Sequence, residues 1–442
     1  MTQGASNGHP NGLTSAHVPF LPLSFDSEDS RQSATRLILT VRPDWDTADD
    51  KIEFVRFTDG ITNTLLKAIN KRKGWSTEEV DREAILLRAY GNGTAVLIDR
   101  EREAQNHELL MKYGLAPELL ARFKNGMLYR FVKGSVTAPE DLRKPSIYTA
   151  VARRLAQWHA TVPCLTHPTS KNGTAKENGD HSHLDRDEMI ENAAPGKPTP
   201  NVWTVMQKWI LALPTDTLEQ RQRQDKLQHE LEWLVNEFSQ RPGLGVDGVR
   251  NSHLTRSLEW CWLNSPDSQL VFAHCDLLSG NVIVLPTTYA ASGAKDQVSV
   301  TFIDYEYATP SPAAFDIANH FAEWGGFDCD YSVLPSRSQR REFIDEYIRA
   351  YYKILPGKSI IDLETEVKKL NDEVDLFRGV PGFYWGIWAL IQAVISEIDF
   401  DYASYAETRL AEYWAWKEER DGSRAAANKE KPLRERRWEQ VE

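Results

Sequence analysis

The strongest period in the chain lies late. Residues 315–324 (Phe315-Asp-Ile-Ala-Asn-His-Phe321-Ala-Glu323-Trp324) carry apolar side chains at helical spacing, and residues 383–395 are apolar almost throughout, interrupted at Gly386 and Gln392. Both read as buried helices. The second run is shorter than the roughly 20 residues a membrane span requires, so it belongs in a protein core. Period-two alternation appears at Val298-Ser-Val300-Thr-Phe302-Ile303, and short apolar runs occur at 282–285, 85–87 and 95–98. These predict strands. The last two flank Gly91-Asn92-Gly93, a hairpin signal, so the first part of the chain is expected to be antiparallel sheet. A helix over 101–112 is expected next. Beyond it the turn Asn125-Gly126 precedes Tyr129-Arg130-Phe131-Val132-Lys133-Gly134, which reads as a strand entering a hinge.

Composition changes the picture at three places. Residues 1–34 mix Gly, Asn, Ser, Pro and His without the charged start and apolar stretch of a secretory signal, and read as a flexible tail. Residues 166–199 are rich in Asn, Lys, Gly, Asp, His and Pro, too polar to order themselves, and mark an insertion. Its His167, His181 and His183 fit a solvated loop better than a metal site. Residues 422–442 form a charged end. The 442 residues are enough for two cores, and a net charge of -12 argues against nucleic acid while suiting a cationic substrate. Cys164, Cys261, Cys275 and Cys329 have neither C-x-x-C nor zinc spacing, which indicates reduced thiols in a cytosolic protein.

The candidate chemistry lies in Val271-Phe-Ala-His274-Cys-Asp276-Leu-Leu-Ser-Gly-Asn281-Val-Ile-Val284. Asp276 precedes Asn281 by the spacing of a kinase catalytic loop, in which the Asp takes the proton of the substrate hydroxyl and the Asn binds a metal. Phe272 and the strand after Asn281 grip the loop at both ends. Asp304 ends the alternating strand. A hard cation such as Mg²⁺ is satisfied by one amide oxygen, one carboxylate, water and the phosphates of ATP. H-x-D alone is weak; the three residues in this order indicate phosphoryl transfer. His274 is expected to hydrogen-bond the loop backbone as scaffold, and Asp316 to cap its helix and support the loop. Glu306 reads either as a second-metal or water contact or as exposed.

Other candidates are individually weaker. Arg88, ending a strand, is either a phosphate cation or a surface ion pair. Glu103, in the first turn of 101–112, is placed to orient it, with Glu101 and Glu108 as competitors. At Gly60-Ile-Thr62-Asn63 a glycine admits close approach of backbone N–H groups to phosphate, Thr62 and Asn63 add donors, and Asp59 is expected to point away. Trp385 and Trp388 lie one helical turn apart with Phe400 following, an arrangement that serves either a core or a cation cage. Glu323 is an acid on a segment expected to pack near Asp304.

Taken together, the strings Phe57-Thr-Asp-Gly60-Ile-Thr-Asn63, Leu87-Arg88-Ala-Tyr90-Gly91-Asn, Ile98-Asp-Arg100-Glu, His274-Cys-Asp-Leu-Leu-Ser-Gly-Asn281, Ile303-Asp-Tyr-Glu-Tyr307, Phe315 to Trp324 and Trp385-Gly-Ile-Trp388 resemble the choline/ethanolamine kinase family. The ethanolamine branch is the nearer. The resemblance implies an α+β, bilobal, protein-kinase-like fold: a small N-terminal lobe with antiparallel sheet, 35–133, and a larger, mostly helical C-terminal lobe, 134–421. It implies ATP-dependent phosphorylation of ethanolamine to O-phosphoethanolamine, with choline or both amino alcohols as the alternative. Under it Asp276 and Arg88 are catalytic; Gly60, Thr62, Asn63, Arg88, Glu103, Phe131 and Val132 bind nucleotide; Asn281 and Asp304 hold Mg²⁺. Tyr307, Glu323, Trp385, Trp388 and Phe400 join Asp276 in the amino-alcohol pocket, where Glu323 neutralises the ammonium. The chain departs from the family at Asp59, where two adjacent glycines are usual, and at Arg130, often acidic in relatives. A soluble cytoplasmic enzyme follows, with no stable membrane insertion and with homodimerisation left open. An aminoglycoside-type phosphotransferase and a non-catalytic kinase-like module are the distant alternatives.

Overall fold

A computed structural model of the protein describes residues 18–47, 51–57, 63–91, 96–163, 201–238, 270–286, 298–355, 362–396 and 398–442. The chain divides into two compact units, Met1–Gly91 with Pro117–Val132 and Asn92–Ala116 with Lys133–Glu442. The segment 92–116, expected in the N-terminal lobe, therefore clusters with the second unit.

The first unit is a six-stranded sheet made of β1 (Phe20–Leu21), β2 (Ile52–Phe57), β3 (Asn63–Asn70), β4 (Ile85–Tyr90), β5 (Leu119–Phe123) and β6 (Gly126–Arg130). The order is β1-β5-β6-β4-β3-β2, with β1 parallel to β5 and the other pairs antiparallel. Alternation along β4 puts Ile85, Leu87 and Ala89 into a core shared with Leu37 and Ile38 of the helix Ser30–Val41 and with Trp45. Arg88 leaves the opposite face.

Two expectations are corrected here. Residues 1–34 are not a tail throughout: β1 pairs with β5, and Asn125 brackets Phe25, accepting from its N–H and donating to its carbonyl at 2.9 Å each. The polar composition of this stretch concealed a partner a hundred residues away. The expected hairpin between 85–87 and 95–98 does not form either, because β4 pairs with β3 and β6. Residues 92–95 lie outside the described residues. Leu97 and Ile98 are buried in the second unit's core, just before Asp99, which caps the helix Arg100–Lys112 by accepting from Arg102 N–H. A short apolar run ahead of an N-cap has the same pattern as a strand.

The second unit contains two small sheets. β7 (Ser135–Val136), β9 (Val282–Val284) and β10 (Val300–Phe302) form one, in the order β10-β9-β7; β8 (Val271–Ala273) and β11 (Thr309–Ser311) form the other. Helices make up the rest, with Pro145–Thr161 packed on Arg337–Ile354 and Val380–Ile395 on Tyr402–Asp421. The glycine that interrupts the late apolar run has a packing reason. A Cβ on Gly386 would meet the Leu410 side chain at 2.7 Å, and one on Gly382 would meet the Arg409 carbonyl at 2.6 Å. These glycines let the two helices approach closely. Among the described residues no helix is long and apolar enough to cross a membrane.

The charged end is folded onto the second unit. Helices Ser423–Ala426 and Leu433–Glu439 dock onto the unit, and Trp438 is buried. Its indole donates to Asp375 at 2.7 Å, Arg340 stacks on its ring at 4.0 Å, and the same guanidinium donates to its carbonyl at 2.9 Å. Such charges look solvated in sequence because their partners are far away along the chain. The insertion 166–199 lies outside the described residues.

Candidate active site

Between β8 and β9 the chain turns through His274, Cys275 and Asp276, and everything around it serves to fix that turn. Cys275 has a φ of 62°, a left-handed conformation that costs a residue bearing a Cβ about 1–3 kcal/mol. Asp316, wholly buried in the helix Ala313–Ala322, holds it there. Its carboxylate accepts from Cys275 N–H at 2.8 Å, His274 N–H at 2.9 Å and His159 Nε2 at 3.0 Å. Burial alone would raise the Asp316 pKa; the His159 bond and the neighbouring histidines pull it below the ordinary value. One turn further along the same helix face, Asn319 donates to Cys275 carbonyl at 3.0 Å and His320 Nδ1 to Leu277 carbonyl at 2.8 Å. Three buried polar groups from one apolar helix thus grip the loop.

The loop is tied equally firmly to β10. His274 Nε2 donates to the Ile303 carbonyl at 3.0 Å, and Ile303 N–H donates to the Asn281 carbonyl at 3.0 Å. Burial lowers the His274 pKa to about 4, so this imidazole is neutral at physiological pH and acts as scaffold. With Ile303 clamped on both sides, Asp304, at a φ of 65°, leaves from a fixed point. Asn281 donates through Nδ2 to the Asp276 carbonyl at 2.7 Å and to its carboxylate at 3.1 Å. Burial, with Asp304, Glu323 and Glu306 adding negative charge, raises the Asp276 pKa well above the carboxylate range.

Glu103, Asp304 and Glu306 present carboxylate oxygens within 4.8 Å of one another. Arg100 spans two of them, 2.9 Å from Glu103 and 3.0 Å from Glu306. All the donors in this group are hard oxygens, the set that Mg²⁺ takes. Glu306 is thus a member of the site and not an exposed residue, its side chain being 4 % accessible.

The aromatic segment forms a connected wall. Trp388 Nε1 donates to Tyr307 hydroxyl at 2.8 Å, Trp385 Nε1 to Asn319 at 2.8 Å, and the Trp385 and Trp388 rings meet edge-on at 5.5 Å. Tyr307 stands edge-on to Trp385 at 5.6 Å. Phe400, partly exposed, contacts Tyr402 and Tyr405 with centroids at 4.8 and 5.6 Å. Glu323 is not a lone acid. Arg409, 1 % exposed, lies 3.3 Å from its carboxylate, and Glu412 lies 3.8 Å beyond on the same guanidinium. Burial raises the Glu323 pKa, Glu412 adds to the rise, and Arg409 opposes it. Glu323 thus shares a buried guanidinium with Glu412.

The remaining candidates belong to the first unit, apart from Gly60 and Thr62, which lie outside the described residues. Asn63 opens β3, and Arg88 is buried on β4, which removes the surface ion pair as an account of it. Phe131 follows β6; its N–H donates to the Ala84 carbonyl at 2.9 Å, and its ring stacks on Phe57 at 6.2 Å with Lys67 Nζ at 3.9 Å. Val132 follows it. Arg130 is paired with Glu83 and Glu118, at 3.2 Å each. Sequence reasoning missed Arg409, Glu412, His159 and Arg100. Polar residues inside the apolar run 315–324 were a usable signal for Asn319 and His320. Arg409 had none.

A family model described as choline/ethanolamine kinase matches residues 54–414. The chain belongs to the choline/ethanolamine kinase family. Among its relatives, a probable ethanolamine kinase of Nematostella vectensis is 31% identical over 91% of this chain and 97% of that protein, and ethanolamine kinase 2 of Mus musculus is 32% identical over 92% and 86%. Among solved structures, an ethanolamine kinase of Plasmodium vivax has a TM-score of 0.60 at 25% identity, covering 87% of this chain and 88% of that one. A choline kinase of Cryptosporidium parvum has a TM-score of 0.56 at 22% identity, covering 87% and 96%. The α+β, protein-kinase-like fold expected from sequence is the fold of this family member.

Proposed function

We propose that the protein transfers the γ-phosphate of ATP to the hydroxyl of ethanolamine, giving O-phosphoethanolamine, the first step of the CDP-ethanolamine route to phosphatidylethanolamine. One observation carries the reading: Asp276 sits on a rigidly bonded loop, hydrogen-bonded to Asn281 and within the electrostatic reach of both Asp304 and Glu323. A carboxylate so placed serves a hydroxyl flanked by a metal-bound phosphate and an ammonium. The names of the relatives support the substrate class.

In this reading Asp276 orients the hydroxyl and takes its proton, its raised pKa bringing it nearer the operating pH. Asn281, through Oδ1, and Asp304 would hold Mg²⁺, with Glu306 and Glu103 beside them; bound there, the ion neutralises phosphate charge. Arg88 and the Gly60, Thr62, Asn63 loop neutralise phosphate, while Phe131 and Val132 meet adenine. Glu323, with one oxygen on Arg409, offers the other to the ammonium. Trp385, Trp388, Tyr307 and Phe400 line the site, each aromatic face worth about 0.5–2 kcal/mol to a cation. Such a wall also suits a quaternary ammonium, so choline is the second substrate to test. Cys275 and Cys329 are buried free thiols, which suits a cytoplasmic enzyme.

The test is Asp276→Ala in the full chain, with radiolabelled ATP offered alongside ethanolamine, choline and an aminoglycoside in parallel. The wild type is expected to label ethanolamine preferentially, and the variant to lose turnover while still binding nucleotide. Wild-type turnover in the variant would refute the assignment.

A further inference from the structure

Glu323 is one end of a line of alternating charges buried in the second unit. Arg409 contacts both Glu323 and Glu412; Arg434 Nε lies 3.8 Å from the other Glu412 oxygen, and Arg434 Nη1 lies 3.0 Å from Glu435. Arg378 ends the line, 2.8 Å from Glu435. From Glu323 to Glu435 no member is more than 7 % exposed. Buried ion pairs are poor stabilisers, because desolvation consumes most of their attraction and apolar residues of the same volume hold a fold as well. The line needs another reason, and its end at Glu323 supplies one.

Two of its members, Arg434 and Glu435, are carried by residues 423–442, beyond the stretch 54–414 that the family model matches. That segment has its own anchors. Besides the Trp438 contacts already described, Arg337 N–H donates to the Gln440 carbonyl at 2.8 Å, Ser338 N–H to the Val441 carbonyl at 3.1 Å, and Arg437 Nε to the Leu334 carbonyl at 2.8 Å. Tyr331 hydroxyl adds a bond to Glu412 at 3.1 Å.

We propose that residues 423–442 position the amino-alcohol pocket. Arg434 balances Glu412, so that Arg409 is shared between Glu412 and Glu323, and the Arg409 bond sets where the Glu323 carboxylate stands. Without Arg434, the full charge of Glu412 acts on Arg409 and draws it away from Glu323. Arg434 is a positioning residue, and its loss is felt by the ammonium and not by the nucleotide. The inference rests on Glu323 as counter-ion of the ammonium, the reading given under Proposed function.

The experiment compares the full-length wild type with Arg434→Met, Arg434→Lys and the double variant Glu412→Gln/Arg434→Met, which leaves no unpaired buried charge. KM for ethanolamine at saturating ATP, KM for ATP at saturating ethanolamine and the thermal midpoint are measured. Arg434→Met is expected to raise the ethanolamine KM about tenfold, since small displacements of a positioning group cost that much or more. The ATP KM stays at the wild-type value, Arg434→Lys recovers most of the loss, and the double variant, in which no Glu412 charge draws Arg409 from Glu323, returns to near the wild-type ethanolamine KM. Equal ethanolamine KM in all four proteins overturns the proposal, as does a parallel rise of both KM values or a lysine variant as impaired as the methionine one. Wild-type turnover of ethanolamine with unmoved variants sinks this inference alone; absence of wild-type turnover sinks the functional reading and this inference with it.

Discussion

Asp316→Asn tests how the loop is held. The Asp316 carboxylate accepts three hydrogen bonds in a wholly buried site. Bonds to a charged group contribute about 1.5–3 kcal/mol each, but the buried charge offsets part of that sum. An asparagine amide replaces one acceptor oxygen with a donor. Whichever way it lies, it faces a backbone N–H, that of His274 at Oδ2 or that of Cys275 at Oδ1. A buried donor without an acceptor costs about 1–3 kcal/mol, and breaking the pair with His159 brings the expected loss of folding stability to about 3–5 kcal/mol. Part of the effect reaches the chemistry. In either orientation one backbone N–H of the His274–Cys275 pair loses its acceptor, the Cys275 backbone at φ 62° is held less firmly, and Asp276 is the next residue. A displacement near 1 Å at a reacting group lowers turnover about 100-fold. Transfer of labelled γ-phosphate gives kcat and both KM values, and urea unfolding gives the stability. Wild-type kcat in a destabilised variant would show that Asp316 does not hold the loop; wild-type values of both would refute the account entirely.

Two further predictions concern pH. Asp276 must be ionised to accept a proton, and its raised pKa places the acid limb of the kcat/KM profile above the ordinary carboxylate range. Glu306→Gln removes one of the negative charges responsible, so the limb is expected to move toward lower pH; an unmoved or alkaline-shifted limb contradicts this. His274 and His320 are both lowered to about 4 by burial. Below the ordinary histidine value of 6.5 the unfolded chain takes up protons that the folded chain refuses, so stability is full above pH 6.5 and falls between 6.5 and 4. Each histidine contributes about 3 kcal/mol to that fall. Urea midpoints at pH 7 and pH 5 measure it, and equal midpoints would show that the imidazoles are not buried neutral.

Sequence alone determined what is local. Asp276 and Asn281 lie on one turn, and the bond of 2.7 Å between the Asn281 amide and the Asp276 carbonyl is a contact across five residues, which spacing can report. Apolar periodicity likewise located the buried helices at 313–322 and 380–395, since the period of one element records which of its faces is hidden. Tertiary structure decided partner choice. Asp316 reaches Cys275 across 41 positions and Arg409 reaches Glu323 across 86. Leu97 and Ile98 have the pattern of a strand yet form the buried approach to a helix, and residues 18–34 read as flexible because the partners that order them lie elsewhere in the chain. A charged side chain carries no mark of whether water or a distant counter-ion will satisfy it; only the folded chain, by bringing Glu412 and Arg434 to Arg409, makes that choice.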